Sequence, residues 1–430
     1  MDNITHSLIA CGAARVMEPA FHGRLTTRQR TALYLSSIIA NNIPDGDFAM
    51  ALLNPDAKMG SLLHHRGYTH TLVAVPVLGL FSAVLAMALC GAWQNRPAEG
   101  RGSRAPFLAC GLAGVLGILL HVIADSWNEY GVHPFSPFWN RWFYGDTLFI
   151  VEPLLWLALA WAIPQGTGRK GALLTTARRG LIVLSLGLLC FFPGLQWQVA
   201  AGSLLWAGVL WLWARYLKKP LLLWLPTALL ILIFSASSHQ AKNFIARNVA
   251  AQAPLSAPQV SGLSRVTDIM VSPSPGNPFC WRAFAQLEEP VAEGGPRLSS
   301  HMGFVSLWPQ VFVAATCHVR RPTEASASGG DPALASDTNV HWVRTSHASL
   351  DDIQALAQES CRFREFLSFA RYPFLQKERG GRWIYGDLRY DFNASAGFAE
   401  FTDAPETRGV CLRIPAPWLT PLLRENVIQD

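Results

Sequence analysis

Residues 106–128 read PFLACGLAGVLGILLHVIADSWN. The run carries no charge until His121 and Asp125, and it is long enough to cross a bilayer, which takes about 20 apolar residues. His121 and Asp125 stand four apart, so on a helix they share a face, and Asn128 continues that face. Ionisable groups inside an apolar helix are costly and are functional candidates by default. One stretch therefore points both to a membrane bundle and to a polar site at one end of it.

Working outward, five further segments are long and apolar: 71–93, 147–164, 180–196, 199–214 and 221–238. Two shorter ones, 3–15 and 31–43, are open to two readings: short spans, or re-entrant helices packed in the bundle. Residues 239–430 instead read as a soluble domain. Half of the 430 residues are hydrophobic and 15% are charged, against about a quarter charged in soluble proteins. A net charge of +6 could suggest nucleic acid, but the basic residues of the first half sit in short loops between apolar runs. No nucleic-acid motif is present. Asp2, His6, Arg15 and Glu18 interrupt the first apolar stretch, and no basic segment precedes it, so the expectation is a retained helix rather than a cleaved signal peptide.

Basic residues mark the cytoplasmic side. If all eight segments cross, one set of loops (15–30, 94–105, 165–179, 215–220) holds Arg15, Arg24, Arg28, Arg30, Arg96, Arg101, Arg104, Arg169, Lys170, Arg178, Arg179, Arg215, Lys218 and Lys219. The opposite set holds Lys58, Arg66 and Arg141. Fourteen against three puts the first set in the cytoplasm, and the C-terminal domain then lies outside it, in the periplasm of a Gram-negative host. The expected fold is an all-α polytopic membrane helical bundle with a C-terminal α+β soluble domain, divided as 1–165, 166–238 and 239–430.

That orientation, derived from arginine and lysine alone, gathers the unusual polar residues on the outer side. They are His6; Asn41, Asn42, Asp45 and Asp47 in NNIPDGD; His64, His65, Arg66 and His70 in HHRGYTH; His121, Asp125 and Asn128; then His133, Asp146 and Glu152. Imidazole with carboxylate is the donor mix for zinc, manganese or iron. Such an ion supplies activated water at neutral pH. The candidate metal ligands are His6, Asp45, Asp47, His64, His65, His70, His121 and Asp125. Arg66 is a candidate for stabilising developing negative charge, and Asp45 or Glu152, if not a ligand, for a general base.

In the last domain, short alternating runs such as VFVAAT and RWIYGDLRYDF read as strands. Ser349 with Asp352 reads as the cap of a helix over 350–370, with Ile353 and Leu356 inward, and 323–337 as a mobile Ser/Gly/Ala-rich loop. Cys280, Cys317, Cys361 and Cys411 fit either two disulfides or buried thiols. Cys11, Cys90, Cys110 and Cys190 lie in apolar helices and read as packing residues. Arg282, Asp387 and Arg389 fit either substrate contacts or structural ion pairs.

The ordered blocks ITHS (4–7), NNIPDGD (41–47), HHRGYTH (64–70), HVIADSWNEYGVHPFSP (121–137) and WFYGDTLFIVEP (142–153) resemble the YdjM/YfhP-like family of inner-membrane proteins. The resemblance covers about residues 1–165, and it implies a metal-dependent hydrolase. NPFCWRAF (277–284) and GDLRYDF (386–392) extend it more loosely. A weaker likeness is to zinc-dependent phospholipase C, whose ligand order is matched by Asp47, His70, His121 and Asp125. Its later helical His-x-x-x-Glu pair is absent, and Asp146 and Glu152 stand there instead. The expectation is a membrane-bound hydrolase using a divalent metal, zinc first, on a small-molecule or lipid phosphoester, with membrane lipid as partner. The alternatives are a metal or ion transporter and a non-catalytic scaffold. Against transport, the inner halves of the spans carry few ionisable residues and no internal repeat is visible.

Overall fold

The computed structural model describes residues 1–93, 104–164, 168–191, 196–216, 220–252, 264–291, 295–317, 334–378, 381–390, 397–403, 408–409 and 411–422. Arg96, Arg101, Lys218, Lys219 and residues 323–333 of the expected loop lie outside these. The chain forms two compact units. The first is Met1–Asp47, Arg66–Trp139 and Phe143–Phe234; the second is Phe48–His65, Asn140–Trp142 and Ser235–Asp430. The segments on either side of residue 165 thus share one unit, and the longest stretch of the second unit begins at Ser235, inside a helix.

The first unit is helical. Helix α1 (Asn3–Met17) is capped by Asp2, whose carboxylate accepts from the Ile4 and Thr5 amides at 3.0 Å each. Helix α2 (Thr27–Ala40) opens on a reciprocal Thr26–Gln29 capping box and ends at Asn41. A 3₁₀ helix, Ile43–Leu53, and a short helix α3 (Ala57–His64) follow, then a 3₁₀ turn, Tyr68–His70, and α4 (Ala74–Leu89).

Helix α5 (Ala105–Asp125) packs against α1, α2 and α4. Small residues allow that closeness. A Cβ on Gly114 would strike the Gly79 carbonyl of α4, and one on Gly117 would lie 2.7 Å from Ala40 Cβ and 3.0 Å from the Ser37 carbonyl of α2. Apolar side chains gain nothing from each other over lipid, so such contacts and interhelical hydrogen bonds hold membrane bundles. Ser36 donates to the Cys110 carbonyl (2.8 Å) and Ser37 to that of Ala10 (3.0 Å). Together they fix α2 between α1 and α5.

The expected span at 147–164 contains only α6 (Pro153–Leu159) and a 3₁₀ extension, Ala160–Ala162. Ten residues rise about 15 Å, half of an apolar core of about 30 Å. Glu152 N-caps α6, its Oε1 accepting from the Leu154 amide at 3.1 Å, and Pro153 cannot continue a helix backwards. The segment nevertheless runs beside α1. Asp2 N–H donates to the Ile150 carbonyl (3.0 Å), Trp156 Nε1 to Thr5 Oγ1 (2.9 Å), and Arg15 Nη1 to the Trp161 carbonyl (2.5 Å).

Helices α7 (Gly168–Phe191), α8 (Trp197–Tyr216) and α9 (Leu225–Gln252) follow. Among the described residues, α5, α7 and α8 are long and apolar enough to cross a membrane, with a fourth span if Ala57–His70 and Ala74–Leu89 count as one broken segment.

The second unit is α+β. Antiparallel strands β1 (Arg265–Ser274), β2 (Asn277–Glu289), β3 (Arg297–Ser306) and β4 (Val340–Ser349) form one sheet in that order. β5 (Pro373–Lys377), β6 (Trp383–Asp387) and β7 (Glu400–Asp403) form another. The expected helix at 350–370 is two: α10 (Leu350–Glu359), capped by Ser349, and α11 (Cys361–Leu367). Ser360 turns extended between them and recaps, accepting from the Phe363 amide (3.2 Å) and donating to Asp403 (2.8 Å). The cysteines pair as Cys280–Cys317 and Cys361–Cys411, whereas Cys11, Cys90, Cys110 and Cys190 are free thiols. Asp387 and Arg389 form a buried ion pair at 2.8 Å, and the Arg282 guanidinium lies over Phe284.

Candidate metal centre

The centre is assembled where α5 ends. His121 and Asp125 occupy one face of its last turn, fully buried. Asn41, one residue past α2, reaches three of its neighbours: Nδ2 donates to the Gly117 carbonyl (2.8 Å), Oδ1 meets His6 Nδ1 (3.1 Å), and its backbone carbonyl meets His121 Nδ1 (2.9 Å). Asp45 and Asp47 follow in the 3₁₀ helix Ile43–Leu53, from which both carboxylates reach His70. His70 arrives at the end of the Tyr68–His70 turn.

Hydrogen-bond accounting assigns the tautomers. The Asn41 carbonyl can only accept, so His121 carries its proton on Nδ1 and presents Nε2 as a lone pair. Thr69 Oγ1 gives its one proton to Asp47 Oδ2 (2.9 Å) and so can only accept from His70 Nδ1 (3.0 Å). Asp47 Oδ2 lies 3.3 Å from that same Nδ1. His70 thus holds a proton on Nδ1 and turns its Nε2 inward, towards the Asp45 and Asp125 carboxylates. Burial lowers its pKa, but these carboxylates together with Asp47 outweigh burial and push it up to about 10 when no cation is bound. The two Nε2 atoms stand 2.9 Å apart, a repulsive arrangement unless a proton or a cation lies between them.

Two carboxylates converge on the same point, and they favour the cation. Asp45 Oδ1 is 3.5 Å from His70 Nε2 and 3.6 Å from His121 Nε2; Asp125 Oδ2 is 3.2 and 3.5 Å from the same atoms. One donor atom from each of Asp45, His70, His121 and Asp125 lies within 4.8 Å of all the others. A tetrahedral ion with bonds of about 2.0–2.1 Å separates its donors by roughly 3.3–3.4 Å, within the five separations of 2.9–3.6 Å just given. Asp125 Oδ2 is buried and accepts no hydrogen bond, although the Arg66 Nε lies 3.1 Å away as an ion pair. The residues fit a divalent ion: two imidazole nitrogens that can ligate once deprotonated, and carboxylates whose charge a cation offsets.

Residues 1–202 match the family model of the YdjM inner membrane protein. This match contains the whole four-residue group. The chain is also 26% identical over 160 residues to the uncharacterized protein YfhP of Bacillus subtilis (strain 168), an alignment spanning 37% of this chain and 44% of that relative. No solved structure matches.

The remaining polar residues surround this group or stand elsewhere. Asp47 lies behind His70, on its Nδ1 side, and also accepts from the Arg66 amide at 2.8 Å. A carboxylate in that position orients a ligating histidine and raises its basicity. His6 uses both ring nitrogens on Asn41 Oδ1 and Asp125 Oδ1 (3.2 Å), and its ring stacks on His121 at 3.9 Å. The amino group of Met1 also contacts Asp125 Oδ1. Arg66 is buried with φ 61°, a left-handed conformation uncommon for a side chain. Its Nη1 donates to Asn128 Oδ1 (2.6 Å), so the guanidinium braces Asp125 and Asn128.

Glu152 caps α6. His64 and His65 belong to the second unit, where His64 Nε2 meets the Ile414 carbonyl (2.9 Å) and His65 stacks on Phe48. His133 Nδ1 lies 3.4 Å from the Arg66 carbonyl, and burial pushes its pKa down to about 3, which keeps it neutral. Asp45 is the exposed member of the four, with 15% of its side chain accessible; the other three have none.

Proposed function

We propose that this chain is a membrane-bound, metal-dependent hydrolase, with Asp45, His70, His121 and Asp125 holding a divalent ion, zinc first and manganese or iron as alternatives. The observation that carries this reading is the convergence of four donor atoms, the His70 and His121 Nε2 atoms 2.9 Å apart with Asp45 and Asp125 carboxylate oxygens 3.2–3.6 Å from them. A divalent ion in such a site supplies Lewis-acid activation of water and polarises a scissile ester.

The chain's own residues do the rest. Asp47 and the Asn41 carbonyl hold the two imidazoles in the ligating tautomer. Arg66 fixes the Asp125 carboxylate. Asp45, reached from solvent, faces the side from which a substrate arrives. The site stands at the end of α5 opposite Arg104, and the arginines of loops 15–30 and 94–105 favour the outer face of the inner membrane for it. That placement puts a phosphoester of the headgroup layer within reach, and it argues against transport, which needs polar groups near the midplane. On the same reading the C-terminal unit is periplasmic.

Four protein donors are also the ligand number of a structural zinc site, which supports a second reading as a non-catalytic scaffold. Hydrolysis of bis(p-nitrophenyl) phosphate and of dispersed phospholipid by chelator-stripped and zinc-, manganese- or iron-reloaded protein separates the two. The hydrolase reading requires activity that returns with metal and is lost in Asp45→Asn. Metal-loaded protein inert towards both esters would leave the scaffold.

A further inference from the structure

The segment that carries the ligand His70 is apolar on its outside. Tyr68, Leu72 and Val73 are each more than 40% exposed, although His70 between them is fully buried. The Leu72 amide donates to the Pro134 carbonyl at 2.8 Å, which fastens this segment to the loop after α5. That loop is closed at its base by the antiparallel bridge Val132↔Phe143, and beyond Pro134 it exposes Phe135 (44%), Phe138 (88%) and Trp139 (51%), with the Phe135 and Trp139 rings 5.8 Å apart. Exposed apolar area gathered this way marks an interaction surface rather than scattered residues.

What covers it follows from its continuation. Val77, Leu80, Phe81 and Val84 of α4 are all more than half exposed at helical spacing, a stripe of the kind that faces lipid. Leu72 and Val73 extend that stripe without a polar break onto the His70 segment. The loop adds the rings of Phe135 and Phe138 and that of Trp139, and tryptophan, like the exposed Tyr68, favours the level of the lipid headgroups.

We propose that this surface seats a membrane phospholipid and that the metal centre takes its substrate sideways from the adjacent leaflet, so that the substrate class is a lipid phosphoester rather than a soluble one. The proposal rests on the hydrolase reading for its chemistry, but the seating of lipid stands on the surface alone. The acyl chains lie along the α4 stripe and the rings of Phe135 and Phe138. The phosphate then lies at the level of His70 and Asp45, the exposed donor.

The test uses the full chain reconstituted in vesicles of phosphatidylethanolamine and phosphatidylglycerol that contain a phosphatidylethanolamine with a photoactivatable diazirine on its headgroup. Cross-linked peptides are mapped by mass spectrometry in wild type and in Leu72→Asp/Phe138→Asp, with bound metal measured on the same samples. The expected result is adducts in residues 68–73 and 135–139 that fall roughly tenfold or more in the double variant, since an acid in the lipid zone is strongly disfavoured, while the metal content holds. Leu72→Ser/Phe138→Ser, without added charge, should give an intermediate loss. Unlabelled 68–73 and 135–139 peptides beside labelled α7 and α8 would mean that another protein or a second copy of the chain covers the surface, and would overturn the proposal; so would labelling unchanged in both variants. Lipid adducts in a wild type that binds no metal would remove the hydrolase reading and leave the lipid surface standing.

Discussion

Replacing Asp47 by asparagine separates a residue that holds a ligand from one that is a ligand. Asp47 Oδ2 accepts from the Arg66 amide (2.8 Å) and Thr69 Oγ1 (2.9 Å), and it lies 3.3 Å from His70 Nδ1. Asparagine keeps one acceptor oxygen but removes the charge that makes His70 a stronger donor and fixes its tautomer. Partners of this kind contribute about 10–100-fold in metal affinity, or roughly 1.4–2.7 kcal/mol. Asp125→Asn replaces a donor oxygen itself and disrupts the Arg66 ion pair, so its loss must exceed that range. Zinc affinity measured by competition with a chromophoric chelator, on detergent-purified protein, reads both. The expected order is wild type, then Asp47→Asn within the 10–100-fold window, then Asp125→Asn well beyond it. Asp47→Asn indistinguishable from wild type, or as damaging as Asp125→Asn, would refute the assignment of Asp47 to the far side of His70.

Three further outcomes are expected. Gly117→Val drives a side chain into Ala40 and the Ser37 carbonyl. It should cost about 1–3 kcal/mol, seen as a lower thermal midpoint in detergent, and should weaken zinc binding because His121 stands one turn on; an unchanged midpoint contradicts the packing. His64→Ala should leave zinc affinity within roughly threefold of wild type, since a residue that neither ligates nor orients a ligand contributes little; a larger loss would return His64 to the donor set. His301 is buried, and burial lowers its pKa from 6.5 to about 4. A histidine with a depressed folded pKa contributes stability above its unfolded pKa and loses it as pH falls, so between pH 6.5 and 4 the β3 region should weaken by on the order of 1–3 kcal/mol. Hydrogen exchange of β3 amides, corrected for intrinsic rates, should accelerate across that window in wild type and not in His301→Gln.

The four clustered donors were all visible as residue types before any fold was known, because PDGD, HHRGYTH and HVIAD are costly insertions next to apolar helices. Their division of labour was not visible. Asp45 and Asp47 are two apart in the same turn, and only the chain's path decides which carboxylate meets the imidazole nitrogens from the front and which from behind. The Asn41 backbone carbonyl that orients His121 carries no sequence signal at all. His64 and His65 share a motif with His70, yet the chain turns at Arg66 in a left-handed conformation, and the partner of His64 is Ile414, 350 residues away. Apolarity located the segment at 147–164 but not its secondary structure, because Glu152 and Pro153 start the helix late. The cysteine pairings and the ion pair of Asp387 with Arg389 depend on contacts between strands and helices that composition does not order.

The measurement that tests the account most directly is elemental analysis of the detergent-purified full chain, wild type beside His121→Ala/Asp125→Ala, with both proteins shown to be folded. The account predicts stoichiometric zinc, manganese or iron in the wild type and its loss in the double variant. Folded wild type that takes up none of these metals, even after reconstitution, would contradict it.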